Sequence, residues 1–130
     1  MSAVVVGYVP SPEGRAALER GVREARLRKV GLVVVNTTRG DALVDERFVQ
    51  GEEAKALAAE LAALDVPAEL RQVNSHEDVA EELDLIATEV DAVLVVIGLR
   101  RRSPVGKLIL GSAASRILLT VGHPILTVKA

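Results

Sequence analysis

The types and the spacing of the residues between Gly98 and Ser112 suit the binding of an anionic ligand. It follows a strongly apolar run and leads into a predicted helix that begins at Gly111 and Ser112. The first turn of a helix offers unpaired backbone N–H groups and the positive end of the helix dipole, while Ser112 adds a hydroxyl and Lys107 adds charge nearby. This combination favours a phosphate site. Gly98 in this interpretation permits a turn that a Cβ would hinder. The alternative is that Ser112 only caps its helix and that Gly98 only ends a strand.

Short apolar runs alternate with amphipathic segments along the chain. Continuous β-branched runs are typical of strands buried on both faces, whereas an alternating run is typical of a half-buried edge strand. The predicted strands are residues 3–8, 31–36, 68–73 (the alternating run), 92–97 and 124–128. The predicted helices are residues 13–29 after a Ser11–Pro12 cap, residues 47–64, a helix that opens at Asn74–Ser75, and residues 111–121.

This order of elements predicts a single α/β domain over residues 1–130. Strands that alternate with helices form a parallel sheet with helices on both faces, and right-handed crossovers restrict the strand order. We expect a doubly wound sheet of five strands in the order 3-2-1-4-5. Ligands of such sheets bind beyond the carboxyl ends of the strands, where the strand order reverses. The crevice should therefore lie between strands 1 and 4, among residues 7–12, 36–41 and 98–112.

The charge and the aromatic content argue against nucleic-acid binding. The chain has 16 basic and 18 acidic residues, a net charge of −2, and only 2% aromatic residues. Nucleic-acid binders usually carry a basic excess and aromatic stacking surfaces, and here the only dense basic run is Arg100, Arg101 and Arg102.

Other classes of site and location are excluded by what the chain lacks. With no cysteine and two separated histidines, a metal site is not expected. No apolar stretch is long enough to span a membrane, and the first strand has no basic leader before it. We therefore expect a cytoplasmic protein.

The stretch that begins at Gly98 resembles the phosphate-binding signature of the universal stress protein family. That signature is Gly, two residues, Gly, nine residues, and then Gly followed by Ser or Thr. Gly98 matches the first position, and Gly111 and Ser112 match the last pair at the right spacing. Further stretches that resemble the family are residues 4–8, 33–36 and 113–128, so the resemblance covers essentially the whole chain.

The resemblance implies a bound adenine nucleotide, ATP or AMP, with Mg²⁺ accompanying ATP. It also implies which positions of this chain would contact the nucleotide. These are Val9 and Thr37 on the adenosine side, Ile97 and Gly98 beside the base and ribose, and Gly111, Ser112 and Ala113 at the phosphates.

Two positions depart from the family pattern. The second glycine of the signature is Arg101, whose side chain either fills space used by the ribose and phosphates or donates to a phosphate itself. Nucleotide-binding members carry an aspartate just after the first strand, where this chain has Val9. The carboxylate that would contact the nucleoside is missing, and the family includes members that do not bind ATP.

Two hypotheses for the function follow. In the first, the protein binds ATP or AMP at the Gly111–Ser112 helix start and acts as a dimeric stress-response sensor. In the second, it is a non-nucleotide interaction protein of the same fold that acts through its dimer surface and the loop at Arg100–Arg102. The resemblance implies a homodimer in which the closing strands, residues 124–128, meet across a twofold axis, since an edge strand exposes unpaired backbone groups.

Enzymatic alternatives fail on missing residues. Gly106–Lys107 lacks the first glycine and the final hydroxyl residue of a P-loop, and no dinucleotide fingerprint or receiver-type acidic cluster follows the first strand. A nucleophilic serine needs a base within hydrogen-bonding reach. His76 follows the predicted edge strand, and His123 precedes the last strand, at the end of the sheet away from the crevice. We therefore expect no catalytic residue and at most slow ATP hydrolysis.

Overall fold

The computed structural model describes residues 2–38, 51–74, 78–99 and 111–130, with the backbone alone at residues 37, 38 and 74. Strands and helices alternate through these residues. The strands are β1 (Ala3–Gly7), β2 (Gly31–Thr38), β3 (Ala68–Asn74), β4 (Ala92–Leu99) and β5 (Ile125–Lys129). The helices are α1 (Pro12–Arg28), α2 (Gly51–Ala62), α3 (Val79–Glu89) and α4 (Ser112–Thr120).

The five strands form one parallel sheet in the order β3-β2-β1-β4-β5, which confirms the prediction. Val5 of β1 is aligned with Val33 of β2 on one side and with Val95 of β4 on the other. The strand order reverses at β1, between β2 and β4. The carboxyl ends of β1 and β4 therefore border the crevice that such a reversal opens.

Helices cover both faces of the sheet, and each face has its own apolar core. Successive side chains of a strand point to opposite faces, so the valine run of β1 supplies both cores. One core, under α1 and α2, includes Val4, Val6, Leu18, Leu32, Val34 and Leu57. The other, under α3 and α4, includes Val5, Val33, Leu83, Val95, Ile97 and Ile117. Burial of each such side chain stabilises the fold by about 1.5–3 kcal/mol before entropy is counted.

The two outer strands are less buried than the three inner ones, as the sequence predicts. Along β3 the exposed residues Glu69 and Gln72 interrupt partly buried ones. In β5 residues 125–128 are all only partly buried. Each of these strands pairs with one neighbour, so one row of backbone groups is left for other partners.

Helix α1 begins as the Ser11–Pro12 pair predicts. The Ser11 hydroxyl accepts a hydrogen bond of 3.0 Å from the backbone N–H of Gly14, and Pro12 occupies the first helical position. A serine cap of this kind stabilises a helix by about 1 kcal/mol relative to alanine.

The predicted start of α3 at Asn74–Ser75 is wrong. Asn74 remains in the ladder of β3, aligned with Thr38 of β2, and the helix begins at Val79. The carboxylate of Asp78 caps it by accepting a 2.8 Å hydrogen bond from the backbone N–H of Ala80. An aspartate caps as well as an asparagine and also complements the helix dipole, and pairing with β2 holds Asn74 in the sheet.

Candidate functional site

A cavity of about 160 Å³ opens at the carboxyl ends of β1 and β4, where the sequence places the crevice. The strand ends form its floor, and the first turns of α1, α3 and α4 form its walls. Its lining is largely aliphatic and includes Val9, Val35, Val79, Leu83, Ile97 and Ile117. Among the described lining residues, Glu13 is the only one with a formal charge. An apolar cavity of this size suits a planar or aliphatic group of a small ligand.

The first turn of α1 is pressed against the end of β1 by Gly14. A Cβ built on Gly14 would lie 1.7 Å from the backbone oxygen of Val9, so no larger residue fits there without moving the backbone. This close approach fixes Val9 at the rim of the cavity and brings Glu13, the preceding residue, into its wall.

Gly98 is required by close packing near the end of β4. It lies within β4, aligned with Val128 of β5, and a Cβ on it would lie 2.0 Å from the backbone oxygen of Glu13. Gly111 differs, because a Cβ there would meet no other atom within 4 Å. Packing therefore requires the first glycine of the signature, whereas the protein itself leaves room for a side chain at Gly111.

The start of α4 presents backbone donors beside the cavity that have no partner among the described residues. Gly111 is the N-cap residue and has no side chain with which to cap the helix, so Ser112 is the first helical residue and not the cap. The first helical hydrogen bond runs from Ser115 N–H to the Gly111 oxygen, at 3.0 Å. The N–H groups of residues 112–114 thus have no acceptor within the helix. Gly111, Ser112 and Ala113 are exposed, so an anion can approach these donors.

Asn36 is a buried support for the site that the sequence did not single out. Its side chain is fully buried, and its amide nitrogen donates a 2.9 Å hydrogen bond to the backbone oxygen of Tyr8. Tyr8 N–H in turn donates to the oxygen of Val35 at 2.9 Å. These bonds hold the chain that leaves β1 against β2 and so position Val9. The only signal in the sequence is a polar residue directly after a run of valines.

An ion pair joins the two helices on the far wall of the cavity. Arg116 of α4 pairs with Asp78, the residue that caps α3. Val79, which follows Asp78, and Ala113, about one helical turn before Arg116, both line the cavity. The pair therefore ties together two helix starts that border the ligand space.

The structure brings part of the predicted site together. Val9, Ile97, Gly98 and Ala113 all line the cavity, and Gly111 and Ser112 lie beside Ala113 at its edge. Thr37 lies in β2, where its backbone alone is described. Arg101 and Lys107 lie outside the described residues, as does the whole Arg100–Arg102 run. Glu13 was missed, because an acidic residue in a first helical turn ordinarily needs no explanation beyond the helix dipole.

The described histidine is far from the serine at the helix start. Ser112 begins α4, and His123 follows its other end, so a helix of nine residues, about 13 Å long, separates them. The Nδ1 atom of His123 lies 3.8 Å from a carboxylate oxygen of Asp84. His76 lies outside the described residues. Across the described ranges, the acidic and histidine side chains form no group of three that could hold a metal ion.

None of the described helices combines the length and the apolar character needed to cross a membrane.

The fold and the cavity define a class of protein. A doubly wound parallel sheet, with an apolar cavity at the reversal of strand order and an open helix start beside it, is typical of α/β domains that bind small ligands. The family model of the universal stress protein family matches residues 1–129. The chain belongs to this family.

Relatives and solved structures agree with this assignment. A universal stress protein of Mycolicibacterium smegmatis is 49% identical over 126 residues, which is 97% of this chain and 96% of that protein. The structure of a universal stress protein from Archaeoglobus fulgidus is 30% identical and covers 99% of both chains with a TM-score of 0.82. A universal stress protein from the same organism in complex with dAMP is 23% identical with a TM-score of 0.72, over 99% of this chain and 98% of that one.

Proposed function

We propose that this protein binds an adenine nucleotide, AMP or ATP with Mg²⁺, and acts in the cytoplasm as a dimeric stress-response sensor. The proposal rests on the position of the apolar cavity directly beside the start of α4. An apolar cavity at the strand reversal meets the N–H groups at the start of α4 that have no acceptor within the helix, and Ala113 belongs to both features. The cavity suits a purine ring, and the helix start suits a phosphate.

The assignment of contacts follows from this arrangement. The base would enter the aliphatic part of the cavity, and the phosphates would lie at the helix start, with the sugar between them. The proposed contact residues are Val9, Thr37, Ile97 and Gly98 for the nucleoside, Gly111, Ser112 and Ala113 for the phosphates, and Arg101 and Lys107 as additional positive charge. The solved universal stress protein complex with dAMP, and another with cAMP at 23% identity and a TM-score of 0.69, support a nucleotide as the ligand.

Calorimetric titration of nucleotide-free protein with AMP, ADP and ATP plus Mg²⁺ tests this proposal. Ser112→Ala removes a hydroxyl without removing a cap, because Gly111 is the N-cap residue, so the fold should be unaffected. Loss of a hydrogen bond to a charged phosphate should weaken binding about tenfold. Ser115→Ala, one turn further along the same helix, is the matched control and should bind like the wild type. Absence of saturable binding by the wild type at millimolar nucleotide would refute the proposal.

The dimer in this proposal rests on the free edge of β5. The Pro124 oxygen accepts a 2.8 Å hydrogen bond from Val95 N–H, and Ala130 N–H donates to the Leu99 oxygen at 3.4 Å. Backbone groups of alternate strand residues point to the same neighbour, so even-numbered residues of this segment face β4. The N–H of Thr127 therefore points away from the sheet, where the same strand of a second copy could accept a hydrogen bond from it.

Thr127→Pro tests the dimer without removing a hydrogen bond of the sheet itself. Proline removes the outward N–H and is tolerated at sheet edges. Sedimentation equilibrium should give a dimer mass for the wild type and a monomer mass for the variant, with unchanged far-ultraviolet circular dichroism as the control for folding. A wild-type monomer at micromolar concentration would refute this part of the proposal.

No catalytic step belongs to the proposal beyond slow hydrolysis of ATP, since the described histidine, His123, follows the other end of α4 from Ser112. The second hypothesis, an interaction protein that binds no nucleotide, is favoured by one observation, the aliphatic Val9 at the cavity rim. It predicts that Val9→Asp together with Arg101→Gly creates nucleotide binding that the wild type lacks. The titration described above decides between the two, because only the first hypothesis requires wild-type binding.

A further inference from the structure

Arg116 of α4 and Asp78, the cap of α3, form an ion pair that the proposed ligand contacts do not include. The Nε atom of Arg116 pairs with one carboxylate oxygen of Asp78. The other oxygen caps α3 by accepting a 2.8 Å hydrogen bond from the backbone N–H of Ala80. Because the two interactions use different oxygens, Arg116 can leave Asp78 without removing the cap of α3.

This ion pair lies near the surface and is therefore weak. The side chain of Arg116 is 56% exposed and that of Asp78 is 27% exposed. An ion pair in contact with water is stabilised little, because both charges are also well solvated when apart and a long side chain loses freedom when it is held. The guanidinium of Arg116 is thus held by an interaction that a stronger acceptor can replace.

Arg116 can reach a phosphate at the start of α4 by turning its side chain alone. Ser112 and Arg116 are four residues apart in one helix, so they share a face and their Cβ atoms are about 5–6 Å apart. The Cα–Cβ bonds of a helix tilt towards its N-terminus, which directs a long side chain over the preceding turn. Arg116 is also the only charged residue of α4. Its guanidinium therefore has two alternative partners, Asp78 and an anion bound to the N–H groups of residues 112–114.

A phosphate monoester is the better of these two partners for a guanidinium. It carries a charge of about −1.5 to −2 at pH 7 and three acceptor oxygens, whereas a carboxylate carries a single charge. Its oxygens also match the paired N–H donors of a guanidinium. The dipole and the N–H groups of α4 hold the phosphate in place for this contact.

We infer that Arg116 is a phosphate-binding residue of this cleft and that Asp78 competes with the nucleotide for it. The inference rests on the proposed nucleotide function. Without ligand the guanidinium pairs with Asp78, and in the complex it pairs with the phosphate while Asp78 continues to cap α3. A nucleotide must therefore displace one ion pair, which lowers its affinity. Adenosine has no phosphate and leaves the pair intact.

The two members of the pair should then have opposite effects on the affinity for AMP. Arg116→Ala removes a hydrogen bond between charged groups, so its dissociation constant for AMP should rise about tenfold. Asp78→Asn removes the competing charge and keeps a good capping side chain, so its dissociation constant should fall about two- to fivefold, as expected for an exposed ion pair. Adenosine should bind both variants as it binds the wild type.

Calorimetric titrations of AMP and adenosine into the wild type, Arg116→Ala, Asp78→Asn and the double variant test this inference. The double variant separates competition for Arg116 from a general gain of positive potential, because only competition requires Arg116 to be present. Thermal unfolding of each variant shows that it is folded.

Asp65→Asn is the matched control for the change in charge. It breaks a different Arg–Asp pair, in which Arg26 near the end of α1 donates to both carboxylate oxygens of Asp65. The net charge changes by the same amount as in Asp78→Asn, and neither residue lines the cavity. The affinities of this variant for AMP and adenosine should equal those of the wild type.

The expected result is weaker AMP binding by Arg116→Ala, tighter binding by Asp78→Asn and, in the double variant, the affinity of Arg116→Ala. Wild-type affinity of Arg116→Ala for AMP, or an equal loss of adenosine binding, would overturn the inference and leave the proposed function standing. Unchanged binding by Asp78→Asn, or a gain that is equally large without Arg116, would overturn the competition. Failure of the wild type to bind AMP at millimolar concentration would overturn the proposed function and this inference with it.

Discussion

Substitution of the two signature glycines by alanine should have very unequal effects on stability. A methyl group on Gly98 would lie 2.0 Å from the backbone oxygen of Glu13 and 2.6 Å from its carbonyl carbon, well inside van der Waals contact. Neither atom belongs to a flexible side chain, so β4 or the first turn of α1 must move. Ala17 and Leu18, which are fully buried in the same helix, would move with it. A methyl group on Gly111 meets nothing.

The expected cost follows from these contacts. Overpacking costs about 1–3 kcal/mol, and a clash with backbone belongs in the upper half of that range, so we expect Gly98→Ala to lose about 2–3 kcal/mol. Gly111→Ala should lose only about 0.5–1 kcal/mol, because a methyl group there meets no other atom and the loss is limited to that of a poorer N-cap residue. With a urea m value of about 1.5 kcal/mol/M, the midpoint of Gly98→Ala should fall by more than about 1 M.

Urea unfolding followed by circular dichroism measures both effects in the absence of ligand. A wild-type midpoint for Gly98→Ala, or equal losses of stability in the two variants, would show that packing against Glu13 does not require glycine at position 98. If the expected difference is found, packing explains Gly98, and the glycine at position 111 is left to be explained by what approaches the start of α4.

Two further predictions concern buried polar groups away from the phosphate site. Asn36→Leu should lose about 1–3 kcal/mol in urea unfolding, because the Tyr8 oxygen loses its buried donor; a variant as stable as the wild type would show that this bond does not support the end of β1. Hydrogen bonds from Arg20 and Arg28 hold the pKa of Glu24 below its ordinary value of 4.5. The stabilisation by Glu24 is therefore complete above that value and is lost as the pH falls through the lowered pKa. The urea midpoints of the wild type and Glu24→Gln should differ at neutral pH and converge as the pH falls through the lowered pKa of Glu24, and a difference that does not change with pH would contradict this explanation.

The architecture could be predicted because its causes are local in the chain. Runs of three valines mark strands that are buried on both faces, and the alternating run at 68–73 marks an edge. With helices between the strands, the handedness of crossovers leaves few strand orders, and the predicted one is observed. The cap of α1 by Ser11 and Pro12 could also be predicted from the sequence, because capping depends on a few neighbouring residues.

The features that the sequence did not reveal depend on contacts between distant segments. The need for glycine at position 98 arises because α1 crosses the end of β4 there, 85 positions after Glu13 in the chain. Asn36 looks like the polar end of a strand until its bond to Tyr8 is seen. The start of α3 was misplaced because Asn74 and Asp78 are both good caps, and pairing with β2 decides between them.

Nuclear magnetic resonance titration of isotope-labelled protein with AMP shows whether the nucleotide binds and which residues it contacts. Binding at the proposed site should shift the backbone amide signals of Val9, Gly98 and residues 112–114, which surround the cavity at the carboxyl end of the sheet. The amides of Ser2 and Gly31, at the opposite end of the sheet, should remain unchanged and serve as the internal control. Shifts confined to β5, or no shifts at millimolar AMP, would contradict nucleotide binding at the start of α4.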